Sequence, residues 1–90
     1  MKTHIAIHIS GLDNCVTVTE AVEKGDLVRY VEDGQEKETV AVDSCPAWHK
    51  IAARTIEKDA FVMKYGSPIG RAAERIEPGM YVHVHNVLPL

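Results

Sequence analysis

Six short runs of alternating apolar and polar residues, each broken by a tight-turn signal, constrain this chain more than any other feature of it. The runs lie at about Thr3–Ile9, Cys15–Thr19, Leu27–Val31, Thr39–Asp43, Phe61–Lys64 and Met80–His85. A period of two sends successive side chains to opposite faces of a strand, so each run reads as a half-buried β-strand. Asp33-Gly34, between two of the runs, predicts a two-residue hairpin of type I′, and Tyr65-Gly66-Ser67-Pro68 predicts a second reversal. Apolar residues fall at helical spacing only around Pro46–Ala53 and Ile69–Ile76, neither long enough for more than two turns. The expectation is a small, mostly β fold of short strands in folded hairpins, with one or two short helical turns.

One local pattern occurs three times, at Val22-Glu23-Lys24-Gly25-Asp26-Leu27-Val28, Ile56-Glu57-Lys58-Asp59-Ala60-Phe61-Val62 and Ile76-Glu77-Pro78-Gly79-Met80-Tyr81-Val82. Each copy reads as an apolar anchor, a turn and the start of a strand. Pro78 presets φ near −65° at the second turn position and Gly79 accepts a positive φ at the third, which predicts a type II turn. Gly25 can do the same, and Asp59 less easily. Unequal spacing between the copies excludes a solenoid.

Ninety residues make one domain, spanning 1–90. A chain of this size buries roughly 60–65% of the surface it exposes when unfolded. With 46% hydrophobic residues but one Trp, three Tyr and one Phe, its core must be aliphatic. A formal charge of −3, with Lys and Arg scattered, lacks the basic footprint of a nucleic-acid binder. The N-terminal run alternates where a signal peptide would be continuously apolar, and no later run is long enough to span a bilayer, so a cytoplasmic protein is expected. Cys15 and Cys45 read as buried thiols of a reducing compartment. Cys45 and His49 have a zinc-like spacing, but no second such pair accompanies them. No Gly-x-Gly-x-x-Gly, P-loop, serine nucleophile elbow or Cys-x-x-Cys is present.

The residues able to carry chemistry are chiefly histidines. Alternation along the last run predicts His83 and His85 on one face with Tyr81, and Val82 and Val84 on the other. Two imidazoles at i and i+2 can reach one divalent ion, with a third ligand from elsewhere. The plain alternative is a polar strand edge. Lys50 beside His49 lowers the proton affinity of the imidazole, as a ligand or base requires, and could itself neutralise a carboxylate. A loop histidine bonded to backbone is the competing reading. His4 and His8 are expected at the surface, opposite Ile5, Ile7 and Ile9. Asp13-Asn14 reads as a turn as readily as a polar site. Arg71 could fork onto a carboxylate or sulfonate, with a surface ion pair as the alternative.

Three of these phrases, His49-Lys50, Lys64-Tyr65-Gly66-Ser67-Pro68-Ile69-Gly70 and His83-Val84-His85-Asn86, resemble in order and spacing the SAF-type β-clip domain of altronate and galactarate dehydratases. His8 followed by Asp13-Asn14 resembles that family's opening His…Asp-Asn-Val. Where the family carries Gly before the His-Lys pair, Trp48 stands in this chain. The resemblance implies a β-clip fold and a part in a lyase that removes a proton next to the carboxylate of a small 2-hydroxy acid and expels a β-substituent. Water leaves in the dehydratases; sulfite leaves in two-subunit lyases of the sulfolactate sulfo-lyase kind, whose small subunits a free-standing module of this type resembles. The resemblance further implies a divalent metal, iron in this family, with His83, His85 and His8 as ligands. It implies His49 and Lys50 as catalytic groups and Asp13 and Asn14 as substrate-binding ones, to which Arg71 is added as a substrate-binding candidate from its place after the Gly66–Gly70 hairpin. The partner implied is a large catalytic lyase subunit, with self-association a further option. Because SAF-like β-clips also serve flagellar chaperones, antifreeze proteins and sialic acid synthases, a non-catalytic binding or assembly module is the rival reading.

Overall fold

The computed structural model describes all of residues 1–90 and is built from nine strands with no helix. They are β1 (Thr3–Ile7), β2 (Cys15–Val18), β3 (Leu27–Glu32), β4 (Gln35–Val40), β5 (Lys50–Ala52), β6 (Phe61–Lys64), β7 (Ser67–Ala72), β8 (Tyr81–Val82) and β9 (Val87–Leu88). Six form one sheet in the order β4-β3-β1-β2-β5-β8, and three form another in the order β6-β7-β9. All neighbours are antiparallel except β1 and β3. The mostly β architecture is as expected; the short helical turns are not there.

The turn pattern explains both results. It occurs four times, the additional copy being Cys45-Pro46-Ala47-Trp48-His49-Lys50-Ile51. In each copy the third turn residue has positive φ: Gly25 (92°), Trp48 (66°), Asp59 (70°) and Gly79 (88°), as a type II turn requires. The following N–H closes the turn, from Asp26 to Glu23, His49 to Pro46, Ala60 to Glu57 and Met80 to Glu77. The first and last residues of each copy are buried: Val22 and Val28, Cys45 and Ile51, Ile56 and Val62, Ile76 and Val82. The anchors also bridge in pairs, Val22 with Cys45 and Ile56 with Ile76. Apolar residues six apart, with a strand too short to show alternation, imitate helical spacing, which is why Pro46–Ala53 and Ile69–Ile76 misread. The first is a turn followed by β5; the second contains the end of β7 and the anchor Ile76.

Two-residue hairpins join β3 to β4 and β6 to β7, with positive φ at Asp33 and Gly34 and at Tyr65 and Gly66. This is the type I′ signature. The aliphatic core divides in two. One cluster gathers around Val16, Val18, Val28 and Ile51, the other around Ile56, Val62, Ile76 and Val82. Both cysteines are free and buried within these clusters, and burial pushes each thiol up to about 11.

The expected surface exposure of His4, on β1, and of His8, just beyond it, is corrected, since both side chains are buried. Ile5, Ile7 and Ile9 face outward, whereas His4 and Ala6 are buried. Register decides this: His4 lies beside Val28 and Ala6 beside Val18, both fully buried. Burying His4 is tolerated because both ring nitrogens are satisfied, Nδ1 2.8 Å from Glu20 and Nε2 2.8 Å from Asp26. Asp26 also accepts N–H bonds from Lys2 and Glu23.

Candidate functional site

The site arises where β5 and β8 pair. Their register sets Lys50 against Val82 and Ile51 against Tyr81, so one further step places His49 across from His83. The rings are 4.8 Å apart between centroids. Tyr81 stacks on His83 at 5.5 Å with an interplanar angle of 8°, and its hydroxyl lies 2.6 Å from Nδ1 of His49. Nε2 is therefore the His49 nitrogen left for other work. Burial, with a smaller contribution from Cys45, pushes the Tyr81 phenol up, keeping it protonated at neutral pH. The Tyr81 backbone is held in turn by its N–H donating to Asp43.

Beyond Val82 the expected strand does not continue. Residues His83–Asn86 form a turn tied by Asn86, whose side chain accepts from the His83 N–H at 3.0 Å and donates to the Tyr81 carbonyl at 2.8 Å. Asn86 is buried. Alternation therefore fails here: Val84, expected in the core, is 81% exposed. His83 and His85 nevertheless both flank Tyr81, His85 at 5.4 Å. The turn reverses the chain into β9 and so joins one sheet to the other.

An open groove of about 510 Å3 lies against this turn, lined by Lys50, Ile69, His83, Val84, Val87, Leu88 and Pro89. The C-terminal residues Val87, Leu88 and Pro89 thus pack on their own domain, as β9 and a groove wall. Burial lowers the His83 pKa, with His49, Lys50 and His85 adding to the shift. A neutral imidazole next to an ammonium group can accept a proton while the lysine holds an anion. Arg71, exposed on β7, stands beside Phe61 and Leu88 and makes none of the ion pairs found in the structure. Its guanidinium is free for an anionic ligand.

The remaining candidate residues lie elsewhere. His8 places Nε2 2.9 Å from the Asp13 carbonyl and 3.4 Å from Glu32. Glu32 is shared with Lys37 at 2.6 Å and Arg54 at 2.7 Å. The Asp13 carboxylate accepts from the backbone N–H groups of Ser10, Tyr65 and Gly66. Burial alone would raise its pKa, but these bonds and the nearby His8 hold it below the usual carboxylate value. Asn14 accepts from the Met63 N–H and donates to the Phe61 carbonyl. Asp13 and Asn14 therefore clamp the β6–β7 hairpin to the loop before β2.

No group of three or more His, Cys, Asp or Glu side chains is arranged to hold a metal ion. The set His83, His85 and His8 is not assembled, because His8 is engaged in the Glu32 cluster and His85 sits out on the turn. The donors of this chain do not by themselves fit a divalent ion. Sequence reasoning missed Tyr81 and Asn86 as functional supports. Tyr81 was visible on the face of His83, but its bond to His49 follows from a β5–β8 pairing that the helical reading of Pro46–Ala53 concealed.

A module of short, turn-linked strands that presents one member of a histidine pair, His83, to an open groove defines the class. The chain belongs to the altronate/galactarate dehydratase SAF-domain family, whose profile matches residues 4–89. It is 36% identical over 74 residues to the (2R)-sulfolactate sulfo-lyase subunit alpha of Chromohalobacter salexigens, covering 80% of this chain and 79% of that protein. It is 34% identical over 86 residues to the altronate dehydratase of Bacillus subtilis, and 41% over 81 residues to that of Escherichia coli. Those matches take in 96% and 89% of this chain but only 16% and 15% of the dehydratases.

Proposed function

We propose that this chain is the small component of a lyase that eliminates water or sulfite from a 2-hydroxy acid, and that it lends its β5–β8 histidines to a site completed by a large subunit. The observation that carries the reading is a His83 of lowered pKa that lines an open groove together with Lys50 and has the His49 ring packed against it. The relatives are lyases of this kind, one of them a subunit alpha and two of them far longer chains.

In this reading Lys50 binds the substrate carboxylate and so stabilises negative charge developing next to it. His83 takes the proton from the carbon bearing the hydroxyl, Tyr81 fixes the orientation of His49, and the β-substituent leaves with the electron pair of its bond. The resulting enol becomes the 2-keto acid. The acid that helps the leaving group, and most of the ligands of a divalent metal such as iron, belong to the large subunit. Asp13, Asn14 and His8 serve here as structural residues, and Arg71 is the further cation in reach of an anionic substrate.

The test is reconstitution with the large lyase subunit of the same organism, assayed on altronate, galactarate and sulfolactate. The purified chain alone should show no turnover, and the assembled pair should turn over one of these substrates. Robust elimination by the isolated chain, or an assembled pair inactive on all three, would overturn the proposal.

A further inference from the structure

Of the four residues that hold the left-handed position of the repeated turn, two are glycine and one is aspartate, both residue types that tolerate it. The fourth is Trp48, at φ 66°. A β-carbon is disfavoured there by contact with the following carbonyl, and a bulky residue more so. Burial of the indole could offset that, but Trp48 is 65% exposed. Its backbone bond, N–H to the Val18 carbonyl at 2.8 Å, is one that glycine would make equally well. Neither burial of the indole nor the backbone bond of the turn accounts for a tryptophan here. Such a strained, exposed residue next to functional groups points to a role outside the fold. Pro46 and Ala47 before it are also exposed, and the residue after it is His49.

We infer that Trp48, with Pro46 and Ala47, is the anchor by which this chain docks onto the large lyase subunit, inserting the indole into an apolar pocket at the rim of the shared site. The inference rests on the proposed function. Its occupant follows from scale and position. The stretch matching this chain makes up only 16% and 15% of the altronate dehydratases, so the same module there accompanies a body several times its size. A body that closes over His49 must also meet the residue preceding it. Tryptophan suits this place because it brings a large rigid apolar area to the centre of a contact, and such residues dominate binding energy.

The experiment compares wild type, Trp48→Gly and Trp48→Ala, free and with the large subunit of the same organism. Glycine should relieve the turn and raise the melting temperature of the free chain by about 4 °C or more, while weakening the complex at least about tenfold. Alanine should weaken the complex similarly without that thermal gain, since its β-carbon keeps the strain. The chain has one tryptophan, so 5-fluorotryptophan labelling yields one fluorine resonance, which should shift on adding the large subunit. A complex that forms and turns over substrate but is indifferent to both substitutions would overturn this inference alone. A resonance that shifts with the chain's own concentration would assign the surface to a second copy, and one that shifts with altronate or sulfolactate alone would assign it to substrate; either overturns the inference. If wild type forms no complex, both the inference and the proposed function fall.

Discussion

Alanine at two glycines of the repeated turn should cost very different amounts, although the backbone strain is nearly the same. Gly25 and Gly79 have φ of 92° and 88°, so a β-carbon at either meets the same left-handed penalty, about 1–2 kcal/mol. Their surroundings differ. A β-carbon on Gly25 has no neighbour within 4 Å, whereas one on Gly79 would collide with the Val40 carbonyl and press on the Val42 nitrogen. The Gly79 backbone is also fixed on both sides, its N–H donating to Ala52 and its carbonyl accepting from Val42. Relief would thus have to break the contact between β8, β5 and the segment after β4. Overpacking against such a rigid neighbour adds about 1–3 kcal/mol. Gly25→Ala should lower the melting temperature by about 4–8 °C per kcal/mol of strain. Gly79→Ala should cost about 2–5 kcal/mol in all, enough to leave a domain of this size largely unfolded at 37 °C if its stability is near the lower end of the usual range. Thermal and urea unfolding of the two variants measures the difference. Equal losses, or a greater loss at Gly25, would refute the packing of the fourth turn against β4.

Three further outcomes follow from the polar interior. His4 has a raised pKa, chiefly from its bond to Asp26 and against the effect of burial, so its contribution to stability is complete below the ordinary histidine value near 6.5 and is lost as pH rises through the folded value. Asp26 is held down to about 2, first by His4 and then by the Lys2 and Glu23 N–H groups, so its contribution is lost as pH falls from the ordinary carboxylate range toward 2. Stability should therefore peak between these limits, and His4→Leu should remove the alkaline limb of the urea-midpoint profile. Asp13→Ala leaves the N–H groups of Ser10, Tyr65 and Gly66 without their acceptor; it should cost about 2–4 kcal/mol in urea unfolding and loosen the β6–β7 hairpin in amide exchange. Cys15 and Cys45, buried with thiols near 11, should resist iodoacetamide at pH 8 in the folded chain and react once it is unfolded.

Much of the fold was legible because its turns are built from residues with a strong backbone preference. Asp33-Gly34 and Pro78-Gly79 announce their conformations, and the strands leaving them alternate clearly. Trp48 does not announce a positive φ, so the turn before β5 went unread, and with it the strand pairing that brings His49 to His83. The residues of the site were legible singly, but their juxtaposition depended on that register. β1 shows the opposite limit. Its isoleucines argue for one buried face and its neighbours Val18 and Val28 impose the other, with Glu20 and Asp26 making the burial of His4 tolerable. Alternation through His83 and His85 fails for a local reason: the Asn86 side chain bonds the His83 N–H and the Tyr81 carbonyl and so closes a turn where the strand would have run on.

The most direct test of the account is kcat of the assembled lyase with His83→Ala in the small subunit. If His83 transfers a proton at the shared site, kcat should fall by about 10²–10⁴, while the complex elutes intact and the variant chain keeps its melting temperature, since the bonds that hold this turn run through the His83 backbone and Asn86. Full activity in the intact variant complex would contradict the account and leave the chain a structural module.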